Sequence, residues 1–581
     1  MIKKNIIKIV AISILLLFLI SGFSGVLFSV SSAKNVNLNK DEYQLSQIKV
    51  NLPINNSVSI GPFNGKISVM ITFKLRNERG LQKYLSELQN PKSDIFHKYM
   101  NRTEFTKIFG PTDSFYNRVV NYFSQFKSIN IETFQDHISI IITGTASNIS
   151  EIMNAKFSTF RKNAEIFYSI IENPSLPVWI SNNVSFISGL NNFTKPSIDL
   201  HSKLFNDLNS VNRVPNGYPS PILNGNTQEI YGSDLQVAYD EQTLFNITYP
   251  VNEVVATILW SGQYVGPNIT TPYGTLNNGT LLGPFDPSDI YAYYNSTLPS
   301  WEPHSTVIPV PINGAPKPSP LASYDTSGAV EENTLDLEMV GSTAPGSTIF
   351  NVYGPNATNE NTDQALAFIL NPNSSYSQLN NVKVISNSWG SPEYNDTAWY
   401  EYLQEAQARG ITVLASSGDS GDNPNSSKYT QSIYPNDWVE FPSAMAFNYF
   451  GVTAVGGTTL TLNSTFHIEN QIAWYISSND TSNGGPAGST GGISQVFPEP
   501  FWQYNSMAND VLNGAGRGVP DIAAIANNTI VYITVDGTSY YANQYSFWGT
   551  SVASPVEAGI IAEIDAVLSL NNQSTLGYLN P

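Results

Sequence analysis

The chain has 581 residues, enough for about two to four domains, and its 41% hydrophobic and 12% aromatic content excludes a disordered protein. Charged residues make up only 13%, and the formal charge of −18 at pH 7 excludes the basic surface of a nucleic-acid-binding protein. The absence of cysteine excludes disulfides, thiolate metal sites and cysteine-protease chemistry. Most of the 46 carboxyl groups become neutral in acid, so this composition suits an acidic environment, and it equally suits an exported protein without acid adaptation.

The N-terminus has the order of a secretory signal. Lysines precede an apolar stretch over residues 9–20, and small residues follow as far as Ala33. This order predicts a signal peptide over 1–33 and a secreted or extracellular protein. The apolar character continues through 26–28, so an uncleaved membrane anchor is the alternative, and both place the remaining chain outside the cytoplasm.

Residues 40–173 are predicted to form a small α+β unit, because alternating and amphipathic segments follow one another at short intervals. Asparagine and proline then increase over 174–230, which predicts a linker or processing region. The predicted strands are Lys66–Leu75 and His137–Thr143, and the predicted helices are Glu78–Leu88, Thr103–Phe109, Asp113–Phe126 and Asn148–Phe157.

Residues 231–581 show a different pattern, in which short apolar strands alternate with helical stretches. This alternation is typical of a parallel α/β sheet, whose ligand sites lie at the carboxyl ends of the strands. The predicted strands are Val254–Leu259, Thr348–Val352, Val382–Ile385, Thr412–Ala415 and Val452–Val455.

A candidate nucleophile lies in the run Phe547-Trp548-Gly549-Thr550-Ser551-Val552-Ala553-Ser554-Pro555, which precedes an apolar helix reaching about Leu570. The helix N-terminus favours negative charge developing near a serine oxygen. A Gly-Thr-Ser triplet alone also suits an ordinary helix N-cap, but the whole run is typical of the nucleophile motif of subtilisin-like folds. None of the five histidines lies in the glycine-rich setting expected of a catalytic base; they are His97, His137, His201, His304 and His467.

Carboxylates are the alternative base. Glu332 and Asp336 lie four residues apart and share one face of a predicted helix. Like charges at this spacing resist joint ionisation, so the pair can share a proton and accept one from a serine at low pH. A solvated acidic helix face is the other interpretation, although the apolar neighbours and the terminator Ala344-Pro345-Gly346 favour a buried helix.

A third acid, Asp419, follows the predicted strand Thr412–Ala415 in the turn Ser416-Ser417-Gly418-Asp419. A protonated aspartic acid can donate a hydrogen bond to an oxyanion. A Gly-Asp turn at the end of a strand is also common without any function, so this motif alone leaves both interpretations open.

Together these motifs resemble the sedolisin (serine-carboxyl peptidase) family over nearly the whole chain. The resemblance implies a subtilisin-like catalytic domain, over 231–581, preceded by a small ferredoxin-like activation propeptide. It also implies that Ser551 is the nucleophile, Glu332 the base, Asp336 its partner and Asp419 the oxyanion donor. The motifs are Glu332-x-x-x-Asp336-x-Glu338, Ser386-Asn387-Ser388-Trp389-Gly390, Ser416-Ser417-Gly418-Asp419, Ala454-Val455-Gly456-Gly457-Thr458, Arg517-Gly518-Val519-Pro520-Asp521, Gly549-Thr550-Ser551 and, in the propeptide, Phe96-His97-Lys98-Tyr99 with Phe109-Gly110-Pro111.

The resemblance breaks at two places. Members of the family carry a calcium-binding segment after the nucleophile helix, which this sequence lacks up to Pro581. Calcium is therefore expected from the family, but its segment is absent from this chain and no metal ligand is assigned. Some relatives extend the acid network with a glutamate on the first strand of the catalytic domain, where Leu259 and Trp260 stand here.

The function implied by the resemblance is that of a secreted, acid-acting endopeptidase that hydrolyses proteins or peptides through an acyl-enzyme. The protein would be made as a self-processing precursor, with its own propeptide as an intramolecular inhibitor. The first alternative is a catalytically inactive relative serving as a surface or binding protein. The second is a neutral subtilisin-like protease with a histidine base, for which His304 is the candidate nearest to the acid pair.

Overall fold

The computed structural model describes residues 44–193, 195–198, 200–205, 222–224, 227–421, 439–477, 486–506, 512–537 and 544–579. The predicted signal peptide over 1–33 lies outside these ranges and stays a prediction. Within the described ranges, none of the helices combines the length and apolarity needed to cross a bilayer.

The N-terminal small domain is α+β, as predicted. Its main antiparallel sheet has the strand order Asn130–Thr133, Ser139–Thr145, Lys66–Phe73 and Val184–Ser188. Apolar residues of these strands and of the helices Asp113–Phe123 and Ala146–Met153 form one buried cluster, which includes Val69 and Phe123. The other elements are the strands Leu45–Gln47, Val58–Pro62, Phe157–Lys162, Glu165–Ile170 and Ser175–Pro177 and the helices Glu78–Leu88, Arg102–Ile108, Asp113–Phe123, Ala146–Met153 and Val178–Ser181.

Three predicted helices differ from the structure at their ends, and the one predicted over 113–126 ends already at Phe123. The helix predicted to start at Thr103 starts at Arg102, because Asn101 caps it: Asn101 Oδ1 accepts the Glu104 N–H at 3.0 Å, and Glu104 Oε2 accepts the Asn101 N–H at 3.0 Å. The helix predicted over 148–157 ends at Met153, where Asn154 turns into the left-handed region, and Phe157 begins a strand instead.

The small domain extends beyond the predicted boundary at 173. Residues 184–188 pair with the central strand Lys66–Phe73, and Ser175–Pro177 pair with Leu45–Gln47. The dense asparagine and proline of this stretch were taken as a linker, but the backbone of these two segments completes the sheets of the small domain. The predicted linker therefore begins near residue 193 and not at 174.

The large domain is built on a mostly parallel eight-stranded sheet, which confirms the predicted fold class. All five predicted strands are present and lie next to one another in this sheet. The strand order is Thr306–Pro311, Thr348–Gly354, Val254–Trp260, Val382–Asn387, Thr412–Ser416, Thr453–Leu462 and the antiparallel Ile468–Ala473, with Ile522–Ile525 parallel beside Thr453–Leu462.

A second sheet and several hairpins surround this core. The second sheet has the order His201–Phe205, Gln544–Trp548, Thr529–Tyr532, Thr227–Tyr231 and Ile222–Asn224. The short strands are Ser197–Ile198, Gln263–Tyr264, Ile269–Thr271, Gly274–Leu276, Thr280–Leu281, Trp389–Pro392, Glu440–Phe441, Tyr475–Ile476, Ala487–Gly488, Gly492–Ile493 and Gly518–Val519. The helices are Gly232–Asp234, Leu235–Ala238, Gln242–Phe245, Pro287–Thr297, Pro320–Tyr324, Ala329–Thr343, Asn359–Leu370, Ser374–Asn381, Thr397–Ala408, Phe501–Tyr504 and Thr550–Leu570.

Two of these helices carry the candidate catalytic residues, and we name them the acid helix (Ala329–Thr343) and the serine helix (Thr550–Leu570). They pack against each other so closely that a Cβ on Gly559 would lie 1.9 Å from Thr343 Oγ1. The Thr343 hydroxyl donates to the Val556 carbonyl at 3.3 Å across the same crossing. Glycine at 559 is therefore what allows the two helices to approach.

Candidate active site

Ser551 lies at the second residue of the serine helix, directly after the strand Gln544–Trp548. Gly549 makes the turn with φ of 140°, a conformation that glycine adopts without strain. The Ser551 hydroxyl donates to the Ser388 carbonyl at 3.4 Å, and the side chain has no exposed surface. The predicted strand–turn–helix setting of the nucleophile is confirmed.

Glu332 and Asp336 lie on one face of the acid helix, and both are completely buried. The alternative of a solvated acidic face is therefore wrong. The Ser388 hydroxyl donates to Asp336 Oδ1 at 2.6 Å, so Ser388 contacts both the acid pair and Ser551. Within the described part of the chain, neither carboxyl oxygen of Glu332 has a hydrogen-bond partner, and Oδ2 of Asp336 has none.

Burial and mutual repulsion raise the pKa values of this pair. The pKa of Glu332 is raised well above 4.5, first by burial and then by Asp336, while the nearby Ser551 hydroxyl lowers it. Burial raises the pKa of Asp336 to about 8, and the hydrogen bond from Ser388 opposes that rise. The pair is therefore neutral in acid, which fits two adjacent carboxyls that cannot both ionise in a dry site.

Asp419 follows the strand Thr412–Ser416 and lies against the start of the serine helix. Its Oδ1 accepts the Thr550 backbone N–H at 2.8 Å and the Thr550 hydroxyl at 2.9 Å. Burial raises the pKa of Asp419 well above 3.8; the two bonds from Thr550 lower it and Glu440 raises it further. Burial therefore favours the protonated form of Asp419, which is the form that can donate a hydrogen bond to an oxyanion.

The fold thus brings together the four predicted site residues from three distant parts of the chain. The charge of Asp419 also acts on Glu332, so the base and the oxyanion donor belong to one electrostatic site. No role is predicted for Ser388 or Thr550 from the sequence, although both lie inside the motifs that carry the family resemblance.

A chain of amides below the acid helix was also missed. Asn351 Nδ2 donates to Asn333 Oδ1 at 2.8 Å and to Thr257 Oγ1 at 3.0 Å, and Asn333 Nδ2 donates to the Trp260 carbonyl at 3.0 Å. This chain anchors the acid helix to the first strand, where some relatives place a glutamate. The available signal was Asn351 itself, a buried amide within the otherwise apolar strand Thr348–Gly354.

One histidine does lie beside the site, and it is not the one the sequence analysis considered. His304 is largely exposed and its ring packs near Tyr294 at 6.0 Å between centroids. His201, from the predicted linker, places Nε2 at 3.6 Å from Asp419 Oδ2. Burial lowers the pKa of His201 and so favours the neutral imidazole in this position.

The linker runs across the catalytic residues. Ser197–Ile198 pair antiparallel with Gly390 and Trp389, directly after Ser388. The Ser202 hydroxyl then donates to Glu331 Oε2 at 2.9 Å on the acid helix. His201–Phe205 pair antiparallel with Gln544–Trp548, the strand that leads to Ser551. The linker backbone thus pairs with both strands beside Ser551, and we call the surface that these two strands present to it the groove.

No calcium ligands are assigned among the described residues. Within the ranges that the structure describes, no three His, Cys, Asp or Glu side chains are grouped to hold a metal ion. We therefore derive no catalytic step through calcium.

Two family profiles match the chain. Residues 59–193 match the profile for "Pro-kumamolisin, activation domain", and residues 313–575 match the "Subtilase family". The first match covers the small domain up to the boundary seen in the structure. The second begins before the strand Thr348–Gly354 of the large domain and continues through the serine helix.

Curated relatives support the same assignment. Kumamolisin of Bacillus sp. (strain MN-32) is 31% identical over 310 residues, covering 52% of this chain and 49% of that protein. Tripeptidyl-peptidase 1 of Canis lupus familiaris is 24% identical over 556 residues, covering 90% of this chain and 84% of that protein. The matched part of the chain thus spans about half the length of kumamolisin and most of the length of the canine enzyme.

Among solved structures, Pseudomonas sedolisin (a serine-carboxyl proteinase) matches with a TM-score of 0.42 and 22% identity, covering 61% of this chain and 84% of that one. On the profile and sequence matches, the chain is similar to the sedolisin (serine-carboxyl peptidase) family, with a pro-kumamolisin-type activation domain before a subtilase-fold peptidase domain.

Proposed function

We propose that this protein is a secreted, acid-acting serine endopeptidase made as a self-processing precursor. The observation that carries the proposal is the joint burial of Ser551, Glu332, Asp336 and Asp419 in one site, with carboxyls where a histidine would otherwise act. Export rests on the signal-like N-terminal sequence, and action in acid rests on the carboxyl chemistry. Proteins or peptides are the substrates that a groove of extended-strand partners accepts.

The proposed reaction has two steps, the acylation of Ser551 and its deacylation, and the same residues act in both. Ser551 Oγ attacks the scissile carbonyl carbon while Glu332 accepts its proton, and Asp419 donates a hydrogen bond to the oxygen that gains the charge. Glu332 then gives the proton to the leaving amine as the carbon–nitrogen bond breaks, which leaves an acyl-Ser551 ester. A water molecule then attacks the ester carbon while Glu332 accepts its proton, and Glu332 returns this proton to Ser551 Oγ as the carbon–oxygen bond breaks and the carboxylic acid product leaves. Asp336 stabilises Glu332 by sharing the proton between the pair.

The precursor is inactive in this description for two reasons. The linker segments 197–198 and 201–205 occupy the groove, and Glu332 is completely buried in this state. A fully buried Glu332 has a raised pKa and stays protonated, so it cannot accept the Ser551 proton. Removal of the linker admits water, lowers the pKa of Glu332 towards its ordinary range and prepares the base. The small domain and linker thus act as the intramolecular inhibitor.

The pH–rate profile on one peptide tests the proposal. Because the base must lose its proton while Asp419 keeps one, the processed enzyme should show a bell-shaped profile with a maximum between about pH 2 and 5. Glu332→Gln should be nearly inactive at every pH. Asp419→Asn keeps a donor at all pH values, so its alkaline limb should move upwards or flatten even though the rate falls.

The same experiment separates the alternatives. A maximum above about pH 6.5 with a near-normal Glu332→Gln rate would instead indicate a histidine base. No activity at any pH in the processed wild type would indicate an inactive binding protein. An N-acetylated peptide should be cleaved by an endopeptidase, whereas cleavage only of peptides with a free N-terminus would indicate an exopeptidase.

Self-processing provides an independent test. Acid incubation of the purified precursor should give a new N-terminus between residues 193 and 231, and Ser551→Ala should block this cleavage while keeping the fold. Loss of one hydroxyl costs only about 1 kcal/mol of stability, so a folded, unprocessed variant is the expected product. A Ser551→Ala precursor that still processes itself in purified form would show that Ser551 is not the nucleophile.

A further inference from the structure

The two carboxyl oxygens of Asp419 are not equivalent. Oδ1 accepts both the backbone N–H and the hydroxyl of Thr550, at 2.8 and 2.9 Å. Oδ2 is buried and, among the described residues, has no hydrogen-bond partner; it lies 3.6 Å from Nε2 of His201, the linker histidine in the groove. Oδ1 is therefore fixed by the hydrogen bonds from Thr550, and Oδ2 faces the groove.

The direction of the Thr550 hydroxyl bond is also fixed. The Gly418 backbone N–H donates to Thr550 Oγ1 at 3.1 Å, which uses an acceptor site of that oxygen. Asp419 Oδ1 already accepts the Thr550 backbone N–H, so this oxygen acts as an acceptor. The Thr550 hydroxyl is then the donor towards Oδ1. Gly418, Thr550 and Asp419 thus form a directed chain of donors that ends on Oδ1.

A carboxyl oxygen that accepts two hydrogen bonds is unfavourable for the acid proton, because that proton would lie close to the hydrogens of both donors. The proton of neutral Asp419 is therefore placed on Oδ2, directed into the groove. We propose that Thr550 is a positioning residue that fixes this proton on Oδ2 and so prepares Asp419 as the oxyanion donor. This inference rests on the proposed peptidase function and assigns a role to a residue beside the nucleophile.

Several charged groups around Asp419 must be kept constant in any test. Glu440 acts on it from the strand Glu440–Phe441, Glu332 from the acid helix and His201 from the linker. His201 leaves the chain with the linker, so the processed enzyme is the form to measure. Glu332 and Glu440 are untouched by a substitution at Thr550.

The test compares Thr550→Val, which removes only the hydroxyl, with Thr550→Ser, which keeps it. Ser554→Ala is the matched control, because Ser554 is a buried hydroxyl on the same helix that pairs with Ser386 at 2.9 Å and does not contact Asp419. A trace of wild-type enzyme can process each precursor, with Ser551→Ala processed in the same way to give the background rate. Measurements of kcat, KM and the pH–rate profile then follow on one peptide.

Thr550→Val should lower kcat about 10- to 100-fold with little change in KM, as expected for a misdirected catalytic group. Its alkaline limb should also move to higher pH, because the carboxylate form of Asp419 loses a donor that stabilises it. Thr550→Ser should restore both values, and Ser554→Ala should change neither. A general loss of structure would lower activity without moving the alkaline limb.

A Thr550→Val enzyme with near-normal kcat and an unmoved alkaline limb would overturn the inference. If Ser551→Ala is inactive in the same assay, the proposed function survives that result and only the role of Thr550 fails. If Ser551→Ala retains the wild-type rate, the proposed function itself fails. A Thr550→Ser enzyme as impaired as Thr550→Val would also overturn the inference, because it would assign the effect to the methyl group.

Discussion

Glu401 joins the two domains of the precursor, and Glu401→Gln is the substitution that best tests how acid affects this contact. Glu401 belongs to the helix Thr397–Ala408 of the peptidase domain and is 6% exposed. Its Oε1 accepts the Ser185 hydroxyl at 2.8 Å and its Oε2 accepts the Leu75 backbone N–H at 3.3 Å, both from the activation domain. A glutamine keeps an oxygen for Leu75 and an amide for Ser185, so it mimics the neutral acid.

The magnitude follows from the pKa of Glu401. Burial raises it from 4.5 to about 7, Ser185 and Leu75 lower it, Glu78 raises it and Lys74 lowers it. The docked state thus holds a proton that the exposed carboxyl releases, and this contribution is complete below about pH 4.5 and is lost as the pH rises through about 7. A rise of this size corresponds to about 3 kcal/mol.

The assay is urea unfolding of the Ser551→Ala precursor, with and without Glu401→Gln, at about pH 4.5 and about pH 8. The two proteins should be nearly equal in acid, whereas at pH 8 the glutamine variant should be more stable by about 3 kcal/mol. Glu172→Gln, at an exposed position of the activation domain, is the control and should show no such difference. Equal loss of stability with pH in the parent and the Glu401→Gln protein would refute the reasoning.

Two further changes have defined outcomes. His201→Ala removes the imidazole beside Asp419, so a gel assay of the precursor should show processing at higher pH than in the wild type. His467→Ala, at an exposed position, is the control and should leave the pH range of processing unchanged. Gly559→Ala places a Cβ 1.9 Å from Thr343 Oγ1 and about 3.0 Å from the Thr343 backbone, so it should cost about 1–3 kcal/mol in urea unfolding and reduce kcat by separating the acid and serine helices. A Gly559→Ala protein of normal stability and rate would show that the crossing can relax.

The four candidate catalytic residues were predictable because each lies in a short motif with local causes. Ser551 follows a glycine turn before an apolar helix, and Asp419 follows a glycine at the end of a strand. Glu332 and Asp336 follow the helical period on a helix whose residues are nearly all buried. Local pattern therefore sufficed to indicate residue types and settings, and the family resemblance supplied their roles.

The supporting residues were not predictable, because their roles depend on contacts between distant parts of the chain. Ser388 acts on Asp336 and Ser551, which lie 52 and 163 residues away. Thr550 reaches Asp419 across 131 residues. A hydroxyl in a motif is compatible with many partners, and only the folded chain selects one of them.

The boundary of the activation domain was missed for a related reason. Composition indicates how exposed a segment is, and asparagine and proline are common both in linkers and in the turns of small domains. The strand Val184–Ser188 lies between such turns and is fixed by pairing with Met70–Phe73, more than 100 residues earlier. Strand pairing at this separation leaves little trace in local composition.

Other buried carboxyl groups at the interface between the domains also have raised pKa values, as Glu401 does. Glu360 of the peptidase domain has a pKa raised to about 7 by burial, against the hydrogen bonds of Ser68 and Gln364. Asp136 of the activation domain is completely buried, with a pKa raised by burial and by Glu405, and its backbone N–H donates to Asn371 Oδ1 at 3.0 Å. These carboxyls all favour the docked state when protonated, so acid should tighten the body of the activation domain on the enzyme.

The linker contact responds to acid in the opposite direction. Burial lowers the pKa of His201, so this contact is stable while the imidazole is neutral and is lost as the pH falls through the lowered pKa. Burial also raises the pKa of Asp419, which favours its neutral form and so disfavours an ion pair with the imidazolium. On the proposed function, acid should therefore loosen the linker strand in the groove while it holds the activation domain in place. Activation would then depend on cleavage of the loosened strand, and the cut activation domain should leave most readily when the pH returns towards neutral.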